Sequence, residues 1–177
     1  MKGLFYKAGA IAAGLLIVLL GFALIVYCVG TDKQVYYAEN VKLATAHRTG
    51  MSEEDLAFVT DAVVEYLQGE GDLDISVRMA GVQRSVFNQK ELSHMVDVQA
   101  LFLALHQGIW LSGGVLAVLL AAYGVVFKKK AGAKLCGCFL AVVISVVALA
   151  VALGIWATID FTTFWDTFHE IFFTNDL

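Results

Sequence analysis

Three stretches of this chain, Ala8–Thr31, Val98–Phe127 and Leu135–Ile159, contain no Asp, Glu, Lys or Arg. Each is at least 24 residues long, and a helix needs roughly 20 apolar residues to cross about 30 Å of hydrocarbon. Three such runs in a chain of 177 residues leave almost no other protein to bury them. The bilayer is the only solvent large enough, so the pattern predicts three membrane-spanning helices.

Between the first two runs the pattern changes. Val35-Tyr36-Tyr37 reads as a short apolar patch at the membrane exit. Ser52-Glu53-Glu54-Asp55 reads as a helix N-cap followed by acidic residues, which the helix dipole favours in a first turn. Leu56, Val59, Val63, Tyr66 and Leu67 then recur at helical spacing, and Gly69 and Gly71 end that helix. Leu73, Ile75, Val77 and Met79 alternate with polar residues, which predicts a short extended segment closed by Gly81. Asn88-Gln89-Lys90-Glu91 is a second helix start, with Asn88 as cap and Glu91 placed to reach back. No glycine or proline follows until Gly108, so one helix is expected to begin outside the membrane and continue into the second span. In the tail, Phe161, Trp165, Phe168 and Phe172 form a stripe suited to an interfacial helix.

The expected fold is therefore an all-α membrane protein, with three transmembrane helices and a mainly helical extracytoplasmic domain between the first and second. Its segments are a span at 8–29, the domain at 31–97, a span at 98–127, a basic turn at 128–134, a span at 135–159 and an interfacial tail at 160–177.

Composition supports the class, and charge supplies the orientation. The chain is 59% hydrophobic and only 16% charged, against about a quarter charged for a soluble domain. Lys2 and Lys7 precede the first span, and Lys128, Lys129, Lys130 and Lys134 link the second to the third, whereas Asp32–Asp97 holds twelve acidic and six basic residues. Cations stay in the cytoplasm, which puts the N-terminus and the lysine turn inside and the acidic segment and tail outside. The first run exceeds the 7–15 apolar residues of a cleaved signal, and Tyr27 is too bulky for a lipidation site at Cys28, so it reads as a retained anchor. The outer segment contains no cysteine and is not a disulfide scaffold. Cys136-Gly137-Cys138 lacks the spacer of a redox or zinc pair and reads as small-residue helix packing.

Two histidines have neighbours that suit proton chemistry. His94 has Glu91 and Asp97 three residues to either side, on one broad helix face. His169 has Asp166 three residues before it and Glu170 beside it. Carboxylate-paired imidazoles act as general bases near neutral pH; equally, charged groups and histidines gather at membrane boundaries because they are solvated there. His106, inside the second span, is either a functional group or a helix–helix hydrogen-bond partner. His47 reads as a solvated loop residue, and Trp110, Trp156 and Trp165 as boundary anchors or packing.

The stretch Asn88-Gln89-Lys90-Glu91-Leu92-Ser93-His94-Met95-Val96-Asp97-Val98 resembles the E-x-x-H-M-x-D-V signature of the lipoprotein intramolecular transacylases, Lit. Phe164-Trp165-Asp166-Thr167-Phe168-His169-Glu170-Ile171-Phe172-Phe173 is similar to that family's second histidine block. The order of parts also matches, although the family usually continues into a fourth span that this sequence is expected to lack. The resemblance implies a bacterial cytoplasmic-membrane enzyme with its active site at the outer leaflet, whose substrate is a diacylglyceryl lipoprotein in membrane lipid. It would move the sn-2 acyl chain to the lipoprotein's own N-terminal amine and leave the lyso form. His94 and His169 would be catalytic, with Glu91, Asp97 and Asp166 in orienting or supporting roles. No cofactor, metal or nucleic-acid partner is expected. Two other readings of the same residues are a non-catalytic membrane partner protein and a metal-dependent membrane hydrolase using the same histidines.

Overall fold

The computed structural model describes residues 2–127 and 131–173. Lys128, Lys129 and Lys130 of the expected basic turn, and residues 174–177 of the expected tail, lie outside the described residues. The described residues are helical almost throughout, and among them three helices are long and apolar enough to cross a membrane: the chain is an all-α membrane protein. In order these elements are α1 (Lys2–Gly30), α2 (Lys33–Lys42), α3 (Thr45–Thr49), α4 (Glu53–Leu67), β1 (Ser76–Met79), β2 (Val82–Ser85), α5 (Gln89–Phe127), α6 (Ala131–Ile159) and α7 (Phe161–Phe172). They form two compact units. One comprises residues 25–107, and the other the first 24 residues with those from 108 onward.

The second of these units is built from apolar helix surface. Ala10 and Ala13 of α1 are buried, as is Tyr123 of α5. Gly9 lets the Tyr123 ring approach so closely that a Cβ there would stand 3.0 Å from it, and a Cβ on Gly14 would stand 3.2 Å from the Phe139 backbone of α6. Small residues therefore set the helix contacts, as expected where lipid removes any hydrophobic drive for association. Ile11, Leu15, Leu19 and Phe22 of α1, with Leu140, Ile144 and Val147 of α6, remain exposed. In hydrocarbon that is the stable arrangement.

The unit at 25–107 has a small conventional core around α4. Ser52 caps that helix by accepting the Asp55 N–H at 3.0 Å. Leu56, Val59, Val64 and Leu67 of α4 are buried with Ala46, Leu73 and Val77. The buried face thus centres on Val64; Val63 and Tyr66, expected on the apolar stripe, are only partly covered. The apolar patch Val35-Tyr36-Tyr37 lies in α2, which Asp32 caps. His47 likewise lies in the one-turn helix α3 rather than in a loop, and it is exposed as expected.

Polar contacts fasten α2 to α4. The Tyr37 hydroxyl donates to Asp61 at 2.5 Å, the Asn40 amide donates to Thr60 at 3.0 Å, and Lys33 lies 2.9 Å from Glu65 and 3.3 Å from Asp61. The Tyr37 hydrogen bond, helped by Lys33, holds the Asp61 carboxyl below the ordinary carboxylate range. That stabilisation is present above the unfolded carboxyl pKa and is lost as pH falls through the lower folded value.

Beyond α4 the expected extended segment pairs with a second strand. β1 and β2 form an antiparallel hairpin with Met79 opposite Val82 and Ser76 opposite Ser85. Its two-residue turn has positive φ at both Ala80 (49°) and Gly81 (84°), the twist-matched geometry that hairpins favour. The Ala80 N–H donates to the Gly50 carbonyl at 2.8 Å, tying the turn to the end of α3. Gly50 has φ +71°, and a Cβ on it would stand 3.2 Å from the Ala80 nitrogen. Gly81 has φ +84° with open space around it. Gly50→Ala is therefore expected to lower the thermal unfolding midpoint in detergent more than Gly81→Ala. Both pay the left-handed backbone penalty of about 1–2 kcal/mol, but only the first also strains the hairpin anchor. The reverse order would show that the anchor contributes nothing.

Candidate functional site

The start of α5 positions the first histidine. The Asn88 side chain accepts the Glu91 N–H at 2.9 Å, and the Glu91 carboxylate accepts the Asn88 N–H at 2.7 Å. This reciprocal pair satisfies two amides that a helix start otherwise leaves without partners. Glu91 is thus committed to holding the helix start, a role its spacing from His94 alone does not reveal. His94 follows three residues later and Asp97 three after that, both half-buried.

The rotation of α5 is fixed farther along. Gln99 donates to the Tyr66 carbonyl at 2.7 Å, joining α5 to the end of α4. A Cβ on Gly69 would stand 3.2 Å from Leu103, and one on Gly30 only 2.6 Å from the Phe102 ring. Tyr27 of α1 stacks on His106 with ring centroids 5.0 Å apart. His106 therefore takes part in packing α1 against α5, in keeping with the helix–helix reading of this residue.

With α5 so placed, His94 opens onto a cleft of about 500 Å³ lined by Val86, Phe87, Asn88, Lys90, Glu91, His94 and Met95. One wall is apolar and the other carries charge. The strand-to-helix connection builds the apolar wall: the Val86 N–H donates to the Ile75 carbonyl at 3.0 Å, and the Ser85 hydroxyl donates to the Phe87 carbonyl at 2.8 Å. Sequence reasoning had not placed Val86, Phe87, Lys90 or Met95 at a site. The available signal was Phe87 just before the Asn88 cap, the position of a hydrophobic staple to Leu92.

His169 belongs to the other unit, on α7. Asp160 caps that helix, accepting the Thr163 N–H at 3.0 Å and the Thr163 hydroxyl at 2.6 Å. These bonds, the hydroxyl's first, hold its carboxyl below the ordinary range. Around His169 the rings of Trp165, Phe173 and Phe168 have centroids 4.4, 5.2 and 5.7 Å away. Its Nδ1 lies 3.1 Å from the Trp165 carbonyl oxygen. A carbonyl only accepts, so in this contact Nδ1 is the donor. Asp166, one turn before His169, is exposed.

The structure thus gives each histidine block a distinct setting. His94 has a cleft with an apolar wall, and His169 has an aromatic surround. A sequence model of the family described as lipoprotein intramolecular transacylase Lit matches residues 11–177. This chain belongs to the Lit family. No curated protein and no solved structure matches it. The Lit match covers both histidine blocks, the hairpin that precedes the first of them and α1 from Ile11 onward. Among the described residues, no three His, Cys, Asp or Glu side chains gather as a metal site requires.

The capping role of Glu91 in this Lit chain has a testable consequence. Gln can make the same reach-back bond, so Glu91→Gln should keep most amide-exchange protection in the first turns of α5. Glu91→Ala should lose roughly 0.3–1.5 kcal/mol of local stability there, read as faster exchange confined to that segment. Equal loss in both variants would mean that the charge, rather than the cap, is what matters.

Proposed function

We propose that this protein moves the sn-2 acyl chain of a diacylglyceryl-cysteine lipoprotein to the lipoprotein's own N-terminal amine. The product is the lyso-glyceryl, N-acylated form. The observation that carries the reading is His94, half-buried near the helix start and lining a cleft that combines apolar Val86, Phe87 and Met95 with charged Lys90 and Glu91. A substrate with an acyl chain, an ester and an amine within a few bonds of one another needs both kinds of wall. The Lit match supports lipoprotein transacylation, and the charge distribution supports an outer-leaflet site in the cytoplasmic membrane, with residues 32–97 outside.

The reaction breaks the sn-2 ester C–O bond and forms an amide C–N bond. The amine loses a proton, and the glyceryl oxygen gains one. Because amine and ester belong to one molecule, attack passes through a ring of about eight atoms, and a well-oriented intramolecular reaction gains up to about 7–11 kcal/mol. The protein's part is to hold that ring closed and to move the proton.

His94 takes the proton from the attacking amine. Glu91 supports it by fixing the first turn of α5, and Asp97, one turn farther on the same helix, orients the ring. His169 delivers a proton from Nε2 to the departing glyceryl oxygen, its ring set by the Trp165 carbonyl, with Asp166 one turn before it in a supporting role. Reversed roles satisfy the same proton balance. Either assignment requires both imidazoles to reach one substrate. An acyl-enzyme on a protein thiol is not part of this route: Cys28 and Cys138 lie on or beside the span helices α1 and α6.

Purified protein in lipid nanodiscs with a synthetic diacylglyceryl-cysteine peptide tests this directly. His94→Ala and His169→Ala should each slow lyso-product formation by about 10²–10⁴-fold, the usual loss for a positioned acid or base. Asp97→Asn should be milder. The variant with Cys28, Cys136 and Cys138 all replaced by Ala should retain activity. An inactive cysteine-free protein beside active histidine variants would overturn the mechanism and leave the family membership standing.

A further inference from the structure

The hairpin ends in an open edge, and the chain that leaves it lines the His94 cleft. The sheet has two strands, and all four residues of β2 are exposed, Val82 at 53%. In an antiparallel pair, opposed residues alternate between exchanging backbone hydrogen bonds and turning those groups away. The Val86 N–H bonds to Ile75, so the register places Arg84 and Val82 in bonded pairs with Val77 and Met79. Gln83 and Ser85 therefore aim their N–H and C=O groups away from β1. β2 contains no proline and no bulge, two common devices that protect such an edge.

From Ser85 the chain passes through Val86 and Phe87, which are themselves cleft wall. The strand that carries the open edge thus runs directly into the wall of the cavity that His94 lines. A lipoprotein whose acylated cysteine occupies that cavity must lead its polypeptide out again. The side chains of that polypeptide play no part in the proposed chemistry. Main-chain pairing grips such a segment without reading its sequence.

Resting on the transacylase reading, we propose that the free edge of β2 binds the substrate's polypeptide segment just after the acylated cysteine, as an added third strand. Gln83 and Ser85 supply the main-chain partners. Two residues of pairing extend about 7 Å at roughly 3.3 Å per residue, so a short tether suffices. Removing this grip weakens binding of substrate and transition state alike and therefore acts on KM rather than kcat.

The test uses the protein in nanodiscs and three kinds of synthetic substrate: a diacylglyceryl-cysteine pentapeptide, its analogues N-methylated at single successive peptide nitrogens, and a diacylglyceryl-cysteine amide with no following residues. The expected result is a KM about five- to tenfold higher for the truncated amide and for alternate N-methyl analogues, with the intervening analogues and kcat nearly unchanged. Gln83→Pro, which removes one outward N–H without touching the ladder to β1, should raise KM for the pentapeptide in the same range. Equal KM for all substrates, with lyso product formed, would overturn the edge proposal and leave the transacylase reading standing. Absence of lyso product from every substrate would overturn both. A KM that ignored truncation but rose with Arg84→Ala in anionic nanodiscs would assign the hairpin to the lipid surface, and the proposal would fail.

Discussion

Hydrocarbon offers a backbone amide no partner, and that constraint makes α5 a single unbroken helix. Any break within the membrane would leave N–H and C=O groups unsatisfied at a cost of several kcal/mol each. Its 39 residues rise about 58 Å at 1.5 Å per residue, roughly twice the thickness of the apolar layer. The surplus must project beyond the membrane. His94 lies four residues before the uncharged run that begins at Val98, about 6 Å along the axis. A rigid helix therefore holds an imidazole at a set height above the hydrocarbon. The Asn88–Glu91 cap starts this helix, Gln99 anchors it to α4, and the Tyr27–His106 stack sets its rotation. Each of these contacts places His94 before any substrate arrives.

Much of this was legible because it is written in local periods. Uncharged runs announce the spans, Ser52 and Asn88 announce helix starts, and the aromatic stripe from Phe161 to Phe172 announces α7. What could not be read depends on partners distant in sequence. α2 has little apolar pattern of its own and is held by Tyr37 on Asp61 and Lys33 on Glu65, partners 24 and 32 residues away. The buried face of α4 centres on Val64 rather than Val63, and Leu73 and Val77, from later in the chain, are buried as well. The second strand, Val82–Ser85, alternates only weakly and is fixed by its pairing with β1. At the site the two histidines stood out by spacing, but the cleft did not. Its Val86 and Phe87 wall comes from a connection whose path is set by bonds to Ile75 and Ser85.

The chemistry proposed for these residues asks little of the protein in bond-making. The substrate carries both nucleophile and acyl donor, and the difficult part is closing a flexible chain into a reactive ring while excluding competing water. A cleft with an apolar wall, one imidazole on a rigid helix and another set in aromatic rings match that division of labour. In the proposed reaction, orientation would supply most of the acceleration, and proton transfer a further factor of about 10²–10⁴. The hairpin adds a place for the polypeptide that every substrate carries and whose sequence the reaction ignores.

Intramolecularity is the central claim, and a crossover experiment measures it most directly. Two lipopeptides of different mass are mixed with the protein in nanodiscs, one bearing a deuterated sn-2 chain and the other an unlabelled chain. Mass spectrometry then locates the label. The account predicts lyso products in which the deuterated chain sits only on the amine of its original peptide, with every sn-1 chain in place. Deuterated chain on the second peptide, or substrates recovered unchanged, would contradict it.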